Sequence, residues 1–217
     1  KAYRLVEEMM LLGNETVAAF MHEHKIPAIY RVHGSPDPKR IDRFAAVCTI
    51  MGITFDEPLN GDDGVAPKRL SKVMKKIRHH PKSSILSGLL LRALKRATYD
   101  VEDIGHFGLA SPAYLHFTSP IRRYPDLTVH RAVRAHLRKQ KKPQTEESDA
   151  ALVEAATRAS ERERIAMDAE RSVGDLYRVL YMKSRVDELF EARVDAFTPS
   201  GIYARVADPF VEVFIPW

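Results

Sequence analysis

Apolar positions recur at helical spacing from the first residues of the chain. In "KAYRLVEEMMLLGNETVAAFMHEH", Leu5, Val6, Met9, Met10, Val17 and Met21 predict an opening amphipathic helix. The pattern then breaks. "KIPAIYRVHGSPDP" predicts a short extended run from Ala28 to Val32, closed by a cluster of turn-forming residues. Asp37 stands where a helix cap is needed, with Pro38 at the first helical position, Ile41, Phe44, Cys48 and Met51 on one face and Gly52 at the end. "FDEPLNGDDGVAP" reads as loop. A basic helix follows around "KRLSKVMKKIRHH", with Leu70, Val73, Met74 and Ile77 as its buried stripe, and "SSILSGLLLRALKRA" predicts a further helix apolar enough for the core.

Periodicity fails again at "TYDVEDIGHFGLASPAYLHFTSP", a stretch rich in Gly, Pro, His and aromatic residues of the kind that carries function between rigid elements. Helix is expected to resume with Ser119 as cap and Pro120 at its first position and to run to about Leu137, bent or restarted at Pro125. "RKQKKPQTEESD" reads as a polar connection. A long helix is predicted from about Ala150 to Tyr181 on Leu152, Ala155, Ala159, Ala166, Val173, Leu176 and Leu180. The last residues, "FEARVDAFTPSGIYARVADPFVEVFIPW", alternate as strands around a Pro-Ser-Gly turn. Two strands make no stable sheet alone, so the protein is expected to continue beyond both ends. The fold class these elements imply is α+β and predominantly helical.

Composition narrows the picture a little. With 217 residues, 45% of them hydrophobic, the chain can bury a sizeable core. Its 34 Lys and Arg against 29 Asp and Glu give a net charge of +5, a mild preference for polyanionic partners. The single cysteine, Cys48, sits in apolar sequence and cannot form a disulfide within the chain. With no apolar run long enough to span a bilayer and no thiol pair, a cytoplasmic setting without membrane contact is expected.

Three places can hold chemistry. In "HFTSPIRRYPDL", Arg122 and Arg123 follow a Ser-Pro step, and positive side chains at a helix start oppose the helix dipole, so something negative is expected there. Arginine offers a planar fork that clamps phosphate through two hydrogen bonds. A phosphate site and a structural salt-bridge network account for the pair equally well. On the long helix, Glu163, Glu170 and Tyr177 stand at seven-residue spacing, nearly one line at about 3.6 residues per turn, and Glu170 has small and apolar neighbours. Solvated ion pairs explain any one of these acids; a carboxylate that orients an arginine is the sharper reading. On the opening helix Glu7 and Asn14 are also seven apart and together could hydrogen-bond a ribose. Other signals fall short: Asp62 and Asp63 lie in a turn sequence with no third carboxylate nearby, and His79 and His80 lack a matching ligand pair for zinc. No phosphate-binding glycine loop or nucleophile elbow is present.

The stretch "GHFGLASPAYLHFTSPIRRYPDLTVHRAV" resembles the ribonuclease II/ribonuclease R (RNB) family of exoribonucleases, most strongly its bacterial ribonuclease R branch. "RLVEEMMLLGNETVA", "IPAIYRVHGSPDP" and "DAERSVGDLY" extend the likeness, and the terminal strands resemble the start of an OB-fold RNA-binding domain. The resemblance implies residues 1–186 as the C-terminal part of the catalytic domain and 187–217 as the first strands of the OB-fold barrel. It implies processive 3′-to-5′ hydrolysis of single-stranded RNA ends to nucleoside 5′-monophosphates, by a protein expected to be monomeric. Magnesium would be held by aspartates outside this chain, which itself supplies no metal ligand. By position, Arg122 would contact the scissile phosphate with Arg123 and Glu170 beside it, and Glu7, or its neighbour Glu8, would meet the terminal ribose. Arg31, His33, His116, Thr118 and Ser119 would line the closed end of the RNA channel. Tyr203 takes a place where the family commonly has Phe and retains a stacking face, while Val213 stands where the family has Gly. Two rival classes are a non-catalytic RNA-binding protein on the same scaffold and a helical interaction domain with incidental basic faces.

Overall fold

The computed structural model describes residues 2–61, 64–139, 149–206, 208 and 210–217. The Asp62–Asp63 turn and most of the polar connection after Leu137 lie outside the described residues. In chain order the elements are α1 (Ala2–Glu23), β1 (Tyr30–Val32), α2 (Pro38–Ile50), β2 (Asn60–Gly61), β3 (Gly64–Val65), α3 (Pro67–Arg78), α4 (Ser83–Ala93), β4 (Thr98–Asp100), a 3-10 turn (Phe107–Leu109), α5 (Tyr124–Leu137), α6 (Asp149–Lys183), β5 (Ala192–Thr198), β6 (Gly201–Val206) and β7 (Val211–Pro216). The architecture is α+β and mostly helical, as expected.

The chain divides into two compact units, Lys1–Glu161 and Arg162–Trp217. This division falls inside α6, whereas residue 186 lies in the turn between the end of α6 at Lys183 and the start of β5 at Ala192.

In the first unit α2, α3 and α4 share one core. The Asp37 carboxylate accepts from the Lys39 N–H and starts α2, Pro38 needs no donor at that position, and Gly52 leaves the helix at φ +82°. Ile41, Phe44 and Cys48 meet Leu70, Val73 and Ile77 of α3 and Leu86 and Leu90 of α4. Burial pushes the Cys48 thiol up to about 11, which leaves it an inert core group. Met74, expected in the buried stripe, is 42% exposed. The presumed loop before α3 contains a short antiparallel pair, β2 with β3.

A second core joins Ala18 and Met21 of α1 to Ala28, Tyr30, Val32, Leu115 and Val129. The first turns of α1 differ from expectation: Leu5, Met9 and Leu12 are each about two-thirds exposed. Helical spacing shows which residues share a face; it does not supply a partner for that face. In a third cluster Ala156 of α6 packs on Ile29 and Tyr99, with Leu152, Ala155 and Ala159 around it. β1 pairs antiparallel with β4, which sets Arg31 opposite Tyr99.

In the second unit β5, β6 and β7 form an antiparallel sheet in that order, so a third strand joins the two the sequence pattern suggested. Val213 pairs with Ala204 in an unbroken β6–β7 register, so valine at that place leaves the ladder intact. Along α6 in this unit Val173, Leu176 and Leu180 remain more than half exposed.

Candidate functional site

The aperiodic segment between β4 and α5 is held in place by backbone pairing and by one buried amide. Gly105, at φ +75°, closes a tight loop in which an added Cβ would meet the Ser111 and Pro112 carbonyls. His106 and Ser111 exchange backbone hydrogen bonds, and Arg31 N–H donates to the Tyr114 carbonyl at 2.9 Å, so the segment runs beside β1. Asn14 of α1 is buried and uses both ends of its amide here. Its Nδ2 donates to the Tyr114 hydroxyl at 2.8 Å, and its Oδ1 accepts from the Phe117 N–H at 2.9 Å. The expected ribose contact is therefore occupied as a positioning residue, while Glu7 on the same helix is exposed.

The arginine turn departs from expectation. Helix α5 begins at Tyr124 with Arg123 at the cap and Pro125 inside the first turn, where its missing N–H costs nothing. Ser119 is not the cap. Its carbonyl accepts from the N–H groups of Arg122 and Arg123 in a separate turn. Its own N–H donates to Asp126 Oδ1 at 2.7 Å, and its hydroxyl accepts from Arg122 Nε at 3.1 Å. The negative group that the helix start calls for is Asp126, fully buried in the first turn of α5. That carboxylate also takes Arg123 Nη2 at 2.7 Å. The salt-bridge reading holds for Arg123, whose side chain is 17% exposed and held by Asp126, whereas Arg122 is exposed and, among the described residues, anchored at Nε.

Behind the turn lies a nest of aromatic and imidazole groups. The Arg31 guanidinium stands 4.7 Å over the Tyr99 ring, and the Tyr99 hydroxyl shares a 2.9 Å hydrogen bond with His116 Nδ1. His116 and Tyr114 rings meet edge to face, as do those of His106 and Tyr114. His33 is buried: its Nδ1 accepts from the Gly108 N–H at 3.0 Å, and its Nε2 stands 2.8 Å from the Lys95 carbonyl. Thr118 Oγ1 is buried without a hydrogen-bond partner among the described residues. Of the expected site residues the fold therefore assembles Asn14, Arg31, His33, His116, Thr118, Ser119, Arg122 and Arg123 within the first unit. Glu170 lies on the exposed part of α6 in the second unit, and Tyr203 of β6, 38% exposed, packs its ring 4.9 Å from Phe214.

Sequence reasoning missed Asp126, Tyr99 and His106. Asp126 carried a signal, since it stands three residues after Arg123 on a helix. Tyr99 carried none, because only strand pairing sets it opposite Arg31.

The site is electropositive, and its histidines respond. Burial first, then the charges of Arg123, Arg31, His106 and Arg122, push His116 down to about 3; burial, His33 and Arg31 push His106 down to about 4. Both values lie below the ordinary 6.5, so as pH falls the unfolded chain takes up protons that the folded chain refuses. Stability is fully present above about pH 6.5 and declines below it. The melting temperature of the chain is expected to drop between pH 7 and pH 5, and His116→Gln to flatten the drop. A melting temperature constant over that range, or a slope that the variant leaves intact, contradicts this account.

Comparison with known proteins places these features in context. Residues 1–139 match the RNB domain family model. Ribonuclease R of Thermotoga maritima is 38% identical over 216 residues, 97% of this chain and 30% of that protein. Ribonuclease R of Escherichia coli is 34% identical over 219 residues, 97% of this chain and 26% of that protein. The chain thus spans between about a quarter and a third of the length of these relatives. Among solved structures, apo RNase R of Mycoplasma genitalium superposes with a TM-score of 0.91 at 29% identity, covering 99% of this chain and 34% of that one. The same protein has been solved with ribose-methylated single-stranded RNA, at the same TM-score, identity and coverage of both chains. The fold also occurs in yeast Ssd1, a pseudonuclease, with a TM-score of 0.77 at 23% identity, over 97% of this chain and 26% of that one.

Proposed function

The chain belongs to the RNB domain family, and from that membership we propose that it is part of a processive 3′-to-5′ exoribonuclease that releases nucleoside 5′-monophosphates. The observation that carries this reading is Arg122, exposed beside a cationic group and anchored at Nε, with the rest of its fork unpaired among the described residues. In-line attack on a phosphodiester spreads negative charge over the phosphoryl oxygens, and a preorganised guanidinium favours that distribution over the ground state. Arg122 meets the scissile phosphate, Arg123 braces the turn through Asp126, and Asn14 fixes the segment that carries both. His33, His116, Thr118 and Ser119 shape the wall of the channel beside Arg31, with Glu7 or Glu8 at the terminal ribose, Glu170 beside the phosphate and Tyr203 as a stacking surface. RNA bound to the Mycoplasma genitalium relative supports the choice of partner. Residues 187–217 are read as the opening strands of an OB-fold barrel following the RNB portion.

A magnesium centre belongs to the same reading of the complete enzyme. Among the described residues no group of three or more His, Cys, Asp or Glu could hold a metal, so these residues do not fit such a centre. No helix among the described residues is long and apolar enough to cross a membrane.

A second reading, a non-catalytic RNA-binding protein, draws support from the fold's occurrence in a pseudonuclease. Cleavage separates the two. Given labelled single-stranded RNA and magnesium, the 217-residue chain is expected to release no mononucleotide, and a polypeptide joining it to a complete RNB domain to release 5′-monophosphates stepwise from the 3′ end. Binding without cleavage by the longer polypeptide would establish the non-catalytic reading instead.

A further inference from the structure

The positive charge of this chain is concentrated in one span. Residues 64–99 contain ten Lys and Arg and no Asp or Glu, a net +10 in a chain whose total is +5, so everything outside the span is net negative. Six of the ten lie on α3, which contains no acid. Leu70, Val73 and Ile77 commit one face of that helix to the core. At about 100° per residue, Lys68, Lys72, Lys75 and His79 fall within a narrow arc on the opposite face, with Arg78 on its flank. All five are exposed.

The flanking cations are engaged elsewhere. Arg69 pairs with Glu57, and Lys76 with Asp56 and the Thr54 carbonyl. Lys68, Lys72, Lys75 and Arg78 have no acidic partner among the described residues. Helix stability does not explain the arrangement. Lys75, Lys76 and Arg78 suit the C-terminal end of the dipole, but Lys68 opposes it in the first turn, and Lys68–Lys72 and Lys72–Lys75 are like-charged neighbours at the spacings where repulsion counts. A ligand with regularly repeated negative charge removes that repulsion.

We propose that the outer face of α3, through Lys68, Lys72, Lys75 and Arg78, binds the phosphate backbone of RNA without base preference, as a contact additional to the Arg122 turn. The choice of RNA rests on the function proposed above; the demand for a polyanion does not. Successive lysines rise about 6 and 4.5 Å along the helix axis, a ladder suited to neighbouring charges on one strand and not to a single anion. An anionic membrane is a poorer fit. A helix lying in a lipid interface needs its apolar face for the lipid, and the apolar face of α3 is spent on the core.

The test uses the 217-residue chain, a fluorescent single-stranded RNA of mixed sequence, and salt from 50 to 200 mM. The Lys68→Gln, Lys72→Gln, Lys75→Gln triple variant is expected to lose about tenfold or more in affinity at low salt. Its plot of log affinity against log salt is expected to flatten by about two, since each phosphate contact on a single strand contributes about 0.7 to that slope. The corresponding triple Lys→Arg variant is expected to bind like the unmodified chain, and both are expected to keep its melting temperature because all three positions are exposed. An unchanged affinity and slope in the glutamine variant, or adsorption to phosphatidylglycerol vesicles with no RNA binding by the unmodified chain, overturns the proposal. Cleavage by the longer polypeptide is read separately, so the exoribonuclease reading and the α3 surface can fail independently.

Discussion

Arg122→Lys in the complete enzyme is expected to slow single-turnover cleavage of RNA by about 10²-fold or more, the scale on which one preorganised transition-state donor counts. RNA affinity and folding are expected to change little. Lysine keeps the charge and loses the fork, so the substitution separates attraction from oriented contact with the phosphoryl oxygens. The structure sharpens the comparison with Arg123→Lys. Arg122 is exposed and, among the described residues, held through Nε, whereas Arg123 gives Nη2 to a buried carboxylate, so its first task is to brace the turn. A smaller loss of turnover is expected at Arg123, accompanied by a loss of stability that Arg122→Lys does not share. Wild-type cleavage by Arg122→Lys, or greater kinetic damage from Arg123→Lys, would remove Arg122 from the role assigned to it.

Asp126→Ala is expected to be the most destabilising single change at this site. The carboxylate is fully buried and accepts from both the Ser119 N–H and Arg123 Nη2 at 2.7 Å. Its removal leaves a largely buried guanidinium and a backbone donor without partners at once. Breaking a buried ion pair from one side costs about 3–5 kcal/mol, and the partial exposure of Arg123 favours the lower end of that range. Urea denaturation of the chain measures the loss. Adding Arg123→Met should recover part of it, because an apolar side chain asks for no counter-charge there. If Asp126→Ala unfolds at the wild-type midpoint, the turn is held by something other than this carboxylate. In the complete enzyme the same variant is expected to lower turnover beyond its effect on RNA binding, since Arg122 then projects from a loosened base.

Chemistry of the site was partly legible in the one-dimensional pattern. The Ser-Pro-Ile-Arg-Arg run announced a cationic turn, and a helix start wanting a negative group was a sound expectation. One such group stands within the chain, three residues after Arg123. Asp126 supplies it, and the helix starts at Tyr124 instead of Ser119 because Pro125 has no N–H to give a carbonyl four residues earlier and is tolerated in a first turn. Asn14 shows the opposite case. Seven-residue spacing aligned it with Glu7 on one face, but two turns apart along the axis Asn14 meets Tyr114 and Phe117 and is buried, while Glu7 lies in the exposed first turns.

What the sequence alone determined is local. The Asp37 cap with Pro38 and Gly52, the buried stripe of α3, the long span of α6 and the alternation of the last strands follow from backbone and side-chain preferences acting over a few residues. What only the tertiary structure decided is which groups from distant parts of the chain meet. Arg31 reached Tyr99 through β1–β4 pairing, and Asn14 reached Tyr114 and Phe117 across about a hundred residues. The same holds for the exposed apolar turns of α1 and the crowding that keeps His116 neutral. Periodicity records which side of an element is apolar, whereas burial, hydrogen-bond partners and charge fields depend on what the rest of the chain places against that side.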